Sequence, residues 1–366
     1  MGCMTSDRPA AQARRIFLCL VAIAVSGFAA SQLPAQEKAR PERVFYNLMS
    51  PSGLAIQPGT DFVFISSRFG IYRYDPSYKR PEDHRAGIEI DGYPKQVDSF
   101  GPGPKYDIGP LGLAFLGPNQ LVVGDGSRKL GEDVVRIYKL PSTPPAADNW
   151  IKEDAAEFTL GPIKSGDESS TGEGDFFGVA VGHDAIWVTC QGDESKGWIA
   201  KSEIKDGKPG PLKLTIATKT ATQVAGPGPI TFSPDGKELV VGLRGDLNSE
   251  ERDSVIAFFD PANGSLKRKM NAGLYDVTGL AYSPKTKKLY ATDFAWKKPK
   301  EGGLFELTVD GDKMKATRVV ALEKAAALAF NPAGHLYLTV YDAQLEGPEK
   351  NRAADPGALL YIKPGL

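Results

Sequence analysis

The sequence predicts an all-β chain folded as a six-bladed β-propeller of four-stranded blades, and three observations carry that prediction. A phrase of small residue, branched apolar residue, small residue and apolar residue occurs six times: Gly53-Leu54-Ala55-Ile56, Gly112-Leu113-Ala114-Phe115, Gly178-Val179-Ala180-Val181, Pro229-Ile230-Thr231-Phe232, Gly279-Leu280-Ala281-Tyr282 and Ala327-Leu328-Ala329-Phe330. Positions 54, 113, 179, 230, 280 and 328 are separated by 59, 66, 51, 50 and 48 residues. Short β-branched and aromatic runs fill each interval, punctuated by turn chemistry that accounts for the 40 Gly and 28 Pro. A period near fifty residues with several short strands per period specifies radial blades.

The elements follow in order. The fifth repeat reads as an inner strand Thr278 to Tyr282, the turn Ser283-Pro284-Lys285 and a second strand Leu289 to Thr292. A third strand Gly303 to Leu307, the hairpin signal Asp310-Gly311 and a fourth strand Ala316 to Val320 complete it. The fourth repeat runs in the same order, from Ile230 to Phe232, Leu239 to Leu243, Val255 to Phe259 and Ser265 to Lys269. The sixth supplies Leu328 to Phe330, Leu336 to Val340 and Ala358 to Ile362, one strand short of a blade. An unassigned strand, Arg43 to Leu48, precedes the first inner strand, and we expect it to become the outer strand of the last blade and close the ring. Residues 75–107 and 141–175 exceed the template and explain the two long spacings.

Residues 1–35 read as a secretory signal ahead of one propeller domain over 36–366. Arg8, Arg14 and Arg15 precede the short apolar run Ile16 to Ala30, and cleavage after Ala30 or Ala35 fits the small residues there. Arg14-Arg15-Ile16-Phe17-Leu18 also resembles a twin-arginine export motif, so Sec and twin-arginine routes both stand. The expectation is a soluble secreted or periplasmic protein with no stable membrane insertion after cleavage. Cys3 and Cys19 leave with the signal, so Cys190 stands alone and packing must replace disulfides. Apolar residues make up 41% of the chain, ample for a large core, and without the signal the net charge is near −3. That balance offers no basic stripe and sets nucleic acid aside as a partner.

The repeat phrases resemble those of six-bladed NHL-type propellers and of the gluconolactonase/senescence-marker-protein superfamily. The carrying residues are Pro51-Ser52-Gly53-Leu54-Ala55, Ile71-Tyr72-Arg73-Tyr74-Asp75, Phe232-Ser233-Pro234-Asp235-Gly236 and Leu289-Tyr290-Ala291-Thr292-Asp293, and the likeness runs over residues 43–362. It implies the fold more firmly than any chemistry, because one fold hosts many functions. For the lactonases it implies a divalent cation, often calcium, held by Glu, Asn and Asp at the channel mouth, where a hard cation polarises the ester carbonyl. Here Ser50-Pro51 and Gly228-Pro229 fall where the Glu and Asn are expected, and Asp276 alone matches.

Candidate site residues come from the loops that lead into inner strands and leave second strands: Tyr106, Asp107, Asp125, Arg128, Asp175, Gln191, Arg244, Tyr275, Asp276, Asp293 and Asp342. Asp125, Gln191, Arg244, Asp293 and Asp342 recur at the ends of second strands and suggest a polar funnel for a small polar, oxygen-rich ligand or a partner protein. The competing reading has each Asp capping its own turn. The rival function is a calcium-dependent lactone hydrolase, in which Asp276 and Asp293 hold the cation with Asp125 or Gln191. Residues 172–175 match no calcium-loop spacing. His183 and His335 fall on turns at the opposite face, His84 lies in a charged loop, and Cys190 reads as a buried structural thiol.

The proposed closure has a direct consequence. Removing residues 36–50 should abolish the cooperative thermal melt, because blade six would lose its outer strand. An unchanged melting curve by circular dichroism would show that the ring closes elsewhere.

Overall fold

The described part of the computed structural model comprises residues 39–77, 87–94, 96–98, 106–145, 149–192, 195–341 and 356–366. The expected signal, His84 and Asp342 lie outside it. Six sheets make six blades, numbered here in chain order. Their inner strands are Leu54–Ile56, Pro110–Gly117, Val179–Gly182, Pro227–Phe232, Val277–Tyr282 and Ala325–Phe330. Each inner strand packs beside the next in chain order, and the last packs beside the first, which closes a ring. The helical content of the described residues is one short helix, Thr218–Thr222, and the 3-10 turn Pro299–Glu301. No helix among them is long and apolar enough to cross a membrane.

The strand Glu42–Leu48 pairs antiparallel with Gly357–Ile362 and forms the outer edge of blade six. Leu48 at its end is fully buried between blades six and one. Two blades carry additions. Ile151–Lys152 runs parallel to Gly87–Asp91 and extends blade one, and Lys208–Pro209 extends the third strand of blade three. Part of each long interval thus folds back onto a blade. Gln96–Asp98 and Tyr106–Ile108 form a separate two-stranded hairpin.

The hydrophobic core is divided into six layers, one between each pair of adjacent blades. Second strands such as Leu239–Leu243 and Leu336–Val340 are buried along their whole length because alternate side chains face two different neighbours. In blade four Val241 joins the layer shared with blade three, whereas Val240 joins that shared with blade five. This period of two explains why second strands read as unbroken apolar runs instead of alternating ones.

The small residues of the repeated phrase are required by the approach of neighbouring blades. A Cβ on Gly53 would strike the Leu111 carbonyl, one on Gly112 the Phe177 carbonyl, and one on Gly178 the Gly228 carbonyl. The same backbone is bridged by hydroxyls. Ser66 Oγ accepts the Gly53 N–H at 2.6 Å and donates to the Leu111 carbonyl of blade two at 2.6 Å. Thr189 Oγ1 accepts the Gly178 N–H at 2.8 Å and donates to the Gly228 carbonyl of blade four at 2.7 Å. Thr292 Oγ1 donates to the Ala326 carbonyl of blade six at 2.6 Å.

Thr189→Val keeps the shape of this bridge and removes its hydrogen bonds, leaving a buried N–H and a buried carbonyl unpaired. The expected cost is about 2–4 kcal/mol. It should appear as a lower urea midpoint with an unchanged m-value; a midpoint within error of the parent would show that the bridge contributes little.

Candidate functional site

Strand register defines the channel mouth. Ile65, Val123, Val188, Val241, Ala291 and Leu338 of the second strands lie opposite the repeated apolar residue of each inner strand. Three residues further on stand Arg68, Gly126, Gln191, Arg244, Phe294 and Tyr341. In five of the six the backbone places them identically: the N–H groups of Arg68, Gln191, Arg244, Phe294 and Tyr341 bond to the carbonyls of Met49, Gly174, Gly226, Asp276 and Lys324. This ring is cationic and aromatic, not a ring of carboxylates.

Gln191 and Arg244 occupy the ring as expected from sequence. Asp125 and Asp293 sit one residue short of it and turn into the blades, where they cap backbone. Asp293 accepts the N–H groups of Tyr275, Asp276 and Ala295 at 3.0, 2.8 and 3.2 Å. Burial pushes its carboxyl upward and these N–H groups oppose that shift. Asp125 accepts from the Ser127 N–H at 2.9 Å and its hydroxyl at 2.6 Å, and pairs with Arg128. Asp342, one residue past the ring position, lies outside the described residues. Asp107 stands 3.8 Å from Arg68 Nε. Tyr106 lies in the hairpin strand Tyr106–Ile108. Tyr275 donates its hydroxyl to Glu301 at 2.8 Å, out toward the rim.

Sequence reasoning missed Arg68, Phe294 and Tyr341, and the signal was present. Counting from the apolar register of the second strands finds all six ring positions; counting from the recurrence of Asp finds the wrong side of two strands.

The mouth itself is built from opposite charges and aromatic rings. Arg68 is 1% and Arg244 3% exposed, and they come from blades one and four, which face each other across the ring. The Arg244 guanidinium lies 5.6 Å from the Phe177 ring centroid. Phe294 packs 4.6 Å from Trp296 and edge-on to Tyr341 at 5.2 Å, and the Tyr341 hydroxyl shares a 2.6 Å hydrogen bond with Ser52. Ser52, Phe177, Arg244, Thr278, Phe294 and Tyr341 together wall the narrow throat of the channel. Gln191 Nε2 is buried without a hydrogen-bond partner among the described residues.

Two carboxylates stand on the lead-in segments of the neighbouring blades, and one of them, Asp276, feels the Arg244 charge. Asp175 of blade three and Asp276 of blade five each precede the repeated apolar residue by four positions. Asp175 adopts a left-handed φ of 43°, held by its N–H bond to Asp133 Oδ2 at 2.9 Å. Asp276 is 5% exposed and accepts the Trp296 N–H at 2.7 Å. Burial raises its carboxyl to about 7; the Trp296 N–H and the Arg244 charge pull it down, and the Asp293 charge pushes it up. Beside the throat, a cavity of about 510 Å³ opens over blade four, lined by Lys219, Gln223, Arg244, Asp246, Asn248 and Asp253. That volume suits a small ligand, and Arg244 is common to both spaces.

The donor set does not fit the cation that the resemblance implies. The oxygens of Asp293 and Asp125 are engaged as described, in blades five and two. No group of three or more His, Cys, Asp or Glu side chains among the described residues is arranged to hold a metal ion. The acids of 172–175 fold around Asp133, which accepts the Arg128 and Asp175 N–H groups. Cys190 is fully buried, which drives its thiol well above the usual range, with the Glu173 charge adding to the effect. His183 contacts the Gly236 carbonyl of the neighbouring blade at 2.5 Å, away from the mouth.

No family model matches the sequence, and no curated protein sequence matches it. Solved structures do match. A glucose dehydrogenase superposes with TM-score 0.57 at 15% identity, over 89% of this chain and 100% of that one. A gluconolactonase from Xanthomonas campestris gives 0.54 at 14%, over 88% and 89%. A luciferin-regenerating enzyme gives 0.53 at 12%, over 90% and 96%. At these identities the likeness is one of fold: the chain is a six-bladed β-propeller.

The Asp276 carboxyl gives the folded chain a pH signature. The folded state keeps its proton to about pH 7, whereas the unfolded chain releases it near the ordinary Asp value of about 4. The stability it contributes is therefore full below that value and is lost as pH rises through about 7. Asp276→Asn should make the fall in stability between pH 4 and 7 shallower by roughly 2–4 kcal/mol. Glu89, raised to about 7, and Asp133, raised to about 6, keep the slope from vanishing. Parallel urea midpoints for parent and variant across that range would count against the assignment.

Proposed function

We propose that the channel mouth takes a small oxygen-rich acid or its lactone, and that the chain opens the lactone ring there. The observation that carries this reading is the buried Arg244 guanidinium, which lines both throat and cavity and acts on the buried Asp276 carboxyl. A guanidinium with little water around it is a strong partner for a carboxylate or for the oxyanion of an ester under attack. Asp276, raised to about 7, is matched to proton transfer near neutral pH. In the proposed step Asp276 takes a proton from water as its oxygen bonds to the lactone carbonyl carbon. Arg244 stabilises the oxyanion, the ring C–O bond breaks, and the departing oxygen receives the proton. The fold's likeness to a gluconolactonase supports the same substrate class. Aromatic walls from Phe177, Phe294 and Trp296 would shield the reacting carbonyl.

Two measurements on the mature chain separate hydrolysis from simple binding. Glucono-1,5-lactone opening, followed by pH-stat over the spontaneous rate, should fall at least about 100-fold in Asp276→Asn and should persist in chelator. Gluconate binding by calorimetry should weaken about 10-fold or more in Arg244→Met. Gluconate binding without lactone turnover would reduce the protein to a binding propeller; loss of turnover on chelation would replace Asp276 by a cation; neither binding nor turnover would remove the site.

A further inference from the structure

Blade three brings four lysines to one groove. Its third strand, Trp198–Lys205, pairs along the outer edge first with Lys213–Ala217 and then with the short strand Lys208–Pro209. Side chains alternate along a strand, so residues 201, 203 and 205 share one side of it. Register then sets Lys213 directly opposite Lys201, and Lys208 directly opposite Lys205. These four lysines, with Glu203 and Thr215, line a groove of about 460 Å³.

The charge in this groove is not balanced from within. Like charges directly opposite one another weaken a sheet, and here both opposed pairs are lysines. Glu203 is the one acid that lines the groove. Its carboxylate stands 3.4 Å from Lys205 Nζ and 3.7 Å from Lys201 Nζ. Hydrogen bonding to Lys205, with the charges of Lys205, Lys201 and Lys213, holds it below the ordinary carboxylate range, so these lysines converge on one point. Lys208 and Lys213 make no ion pair among the described residues. Blades four and five instead match cation to acid, Arg268 with Glu238 and Lys288 with Glu306.

The groove is also built. The Gly210 N–H donates to the Glu203 carbonyl at 2.8 Å, and the buried Ser202 hydroxyl donates to the Gly210 carbonyl at 2.6 Å. Pro209 and Pro211 on either side stiffen that wall. Lys201 Nζ lies 5.0 Å from the ring centroid of the buried Trp187, which restrains the ammonium.

We propose that this groove binds a small anion carrying two or more phosphate groups. A lysine ammonium is a point charge with three donors, suited to phosphate oxygens that arrive from different directions. No arginine lines the groove to grip a planar carboxylate with two parallel bonds. A monoanion would leave most of the lysine charge unanswered, and the volume suits a small ligand. The near-neutral balance of the whole chain conceals this site because the surplus is local. The ligand would touch strands that meet only in the folded blade, and so raise the melting temperature.

The test titrates the mature chain with tripolyphosphate by calorimetry at constant ionic strength, beside inorganic phosphate, citrate and a single-stranded oligonucleotide. Tripolyphosphate should bind one to one and more tightly than the other three. Lys208→Gln with Lys213→Gln removes two exposed charges that hold no ion pair, and should weaken it about 10-fold or more. Lys313→Gln with Lys315→Gln, on the outer strand of blade five, should leave it unchanged. Glu203→Gln should tighten binding, because the competing carboxylate is gone. No binding at millimolar concentration, equal binding of inorganic phosphate or citrate, tighter binding of the oligonucleotide, or equal losses in the two lysine variants would each overturn the proposal.

Discussion

The structure depends on how closely successive inner strands approach. At the repeated phrase the strands are near enough that a methyl group on Gly53, Gly112 or Gly178 would overlap the next blade's backbone. The exposed carbonyl created by that approach is satisfied by a hydroxyl from the blade behind, Ser66, Thr189 or Thr292. Where the second strand carries glycine at that position, as at Gly124 and Gly242, the Phe176 backbone and the Val277 side chain of the following blade fill the space instead. Either solution locks adjacent blades in register. With no disulfide available to the buried Cys190, this backbone contact and the six apolar layers carry the ring.

The same register determines what faces the ligand. A blade held to its neighbour within one hydrogen-bond length leaves no freedom for its second strand to slide, so the third residue past the paired position must reach the mouth. That is how Arg68, Gln191, Arg244, Phe294 and Tyr341 come together from five separate blades. The six repeats and the order of strands within them were legible in the sequence because glycine, turn residues and apolar runs obey local rules. The mouth was legible only in part. Asp125 and Asp293 look like recurring site residues, but Asp is also the residue that caps a strand end, and a shift of one residue exchanges the two roles. Arg244 stands at the ring position when counted from the apolar register of its second strand, and Asp276 lies on the lead-in to the fifth inner strand. Arg68 was missed because it follows two serines and has no acidic counterpart in the repeat.

Buried charge recurs elsewhere in the ring, and it follows a common pattern. Arg73 and Glu89 pair at 2.6 Å with almost no exposure, and Arg73 also lies over Phe62 and Phe64. Even so, burial lifts Glu89 to about 7 against the arginine's pull. Such pairs are weak sources of stability, because desolvation offsets much of their attraction. At Arg244 and Asp276 the arrangement differs in a useful way. The arginine borders two open spaces, and the carboxyl's N–H partner, Trp296, is part of the aromatic wall. A ligand entering there would meet preorganised charge with little water to displace, the condition under which electrostatic recognition and catalysis are strongest.

The two faces of the disc are consequently different kinds of surface. The mouth, at the beginning of the inner strands, gathers the buried arginines Arg68 and Arg244. The seam between blades six and one, beside the turns that follow inner strands, is instead tied by internal pairs, Asn331 with Asp61 and Lys363 with Glu42. Strand direction alone produces this separation, since every blade repeats the same path and every lead-in loop faces one way. The two also differ in how they are built. The mouth is formed by residues fixed by neighbouring blades throughout the ring, whereas the seam is the one junction where blade six is completed by the strand Glu42–Leu48. Ring closure therefore depends on the pairing of that strand with Gly357–Ile362 and on the burial of Leu48 between blades six and one.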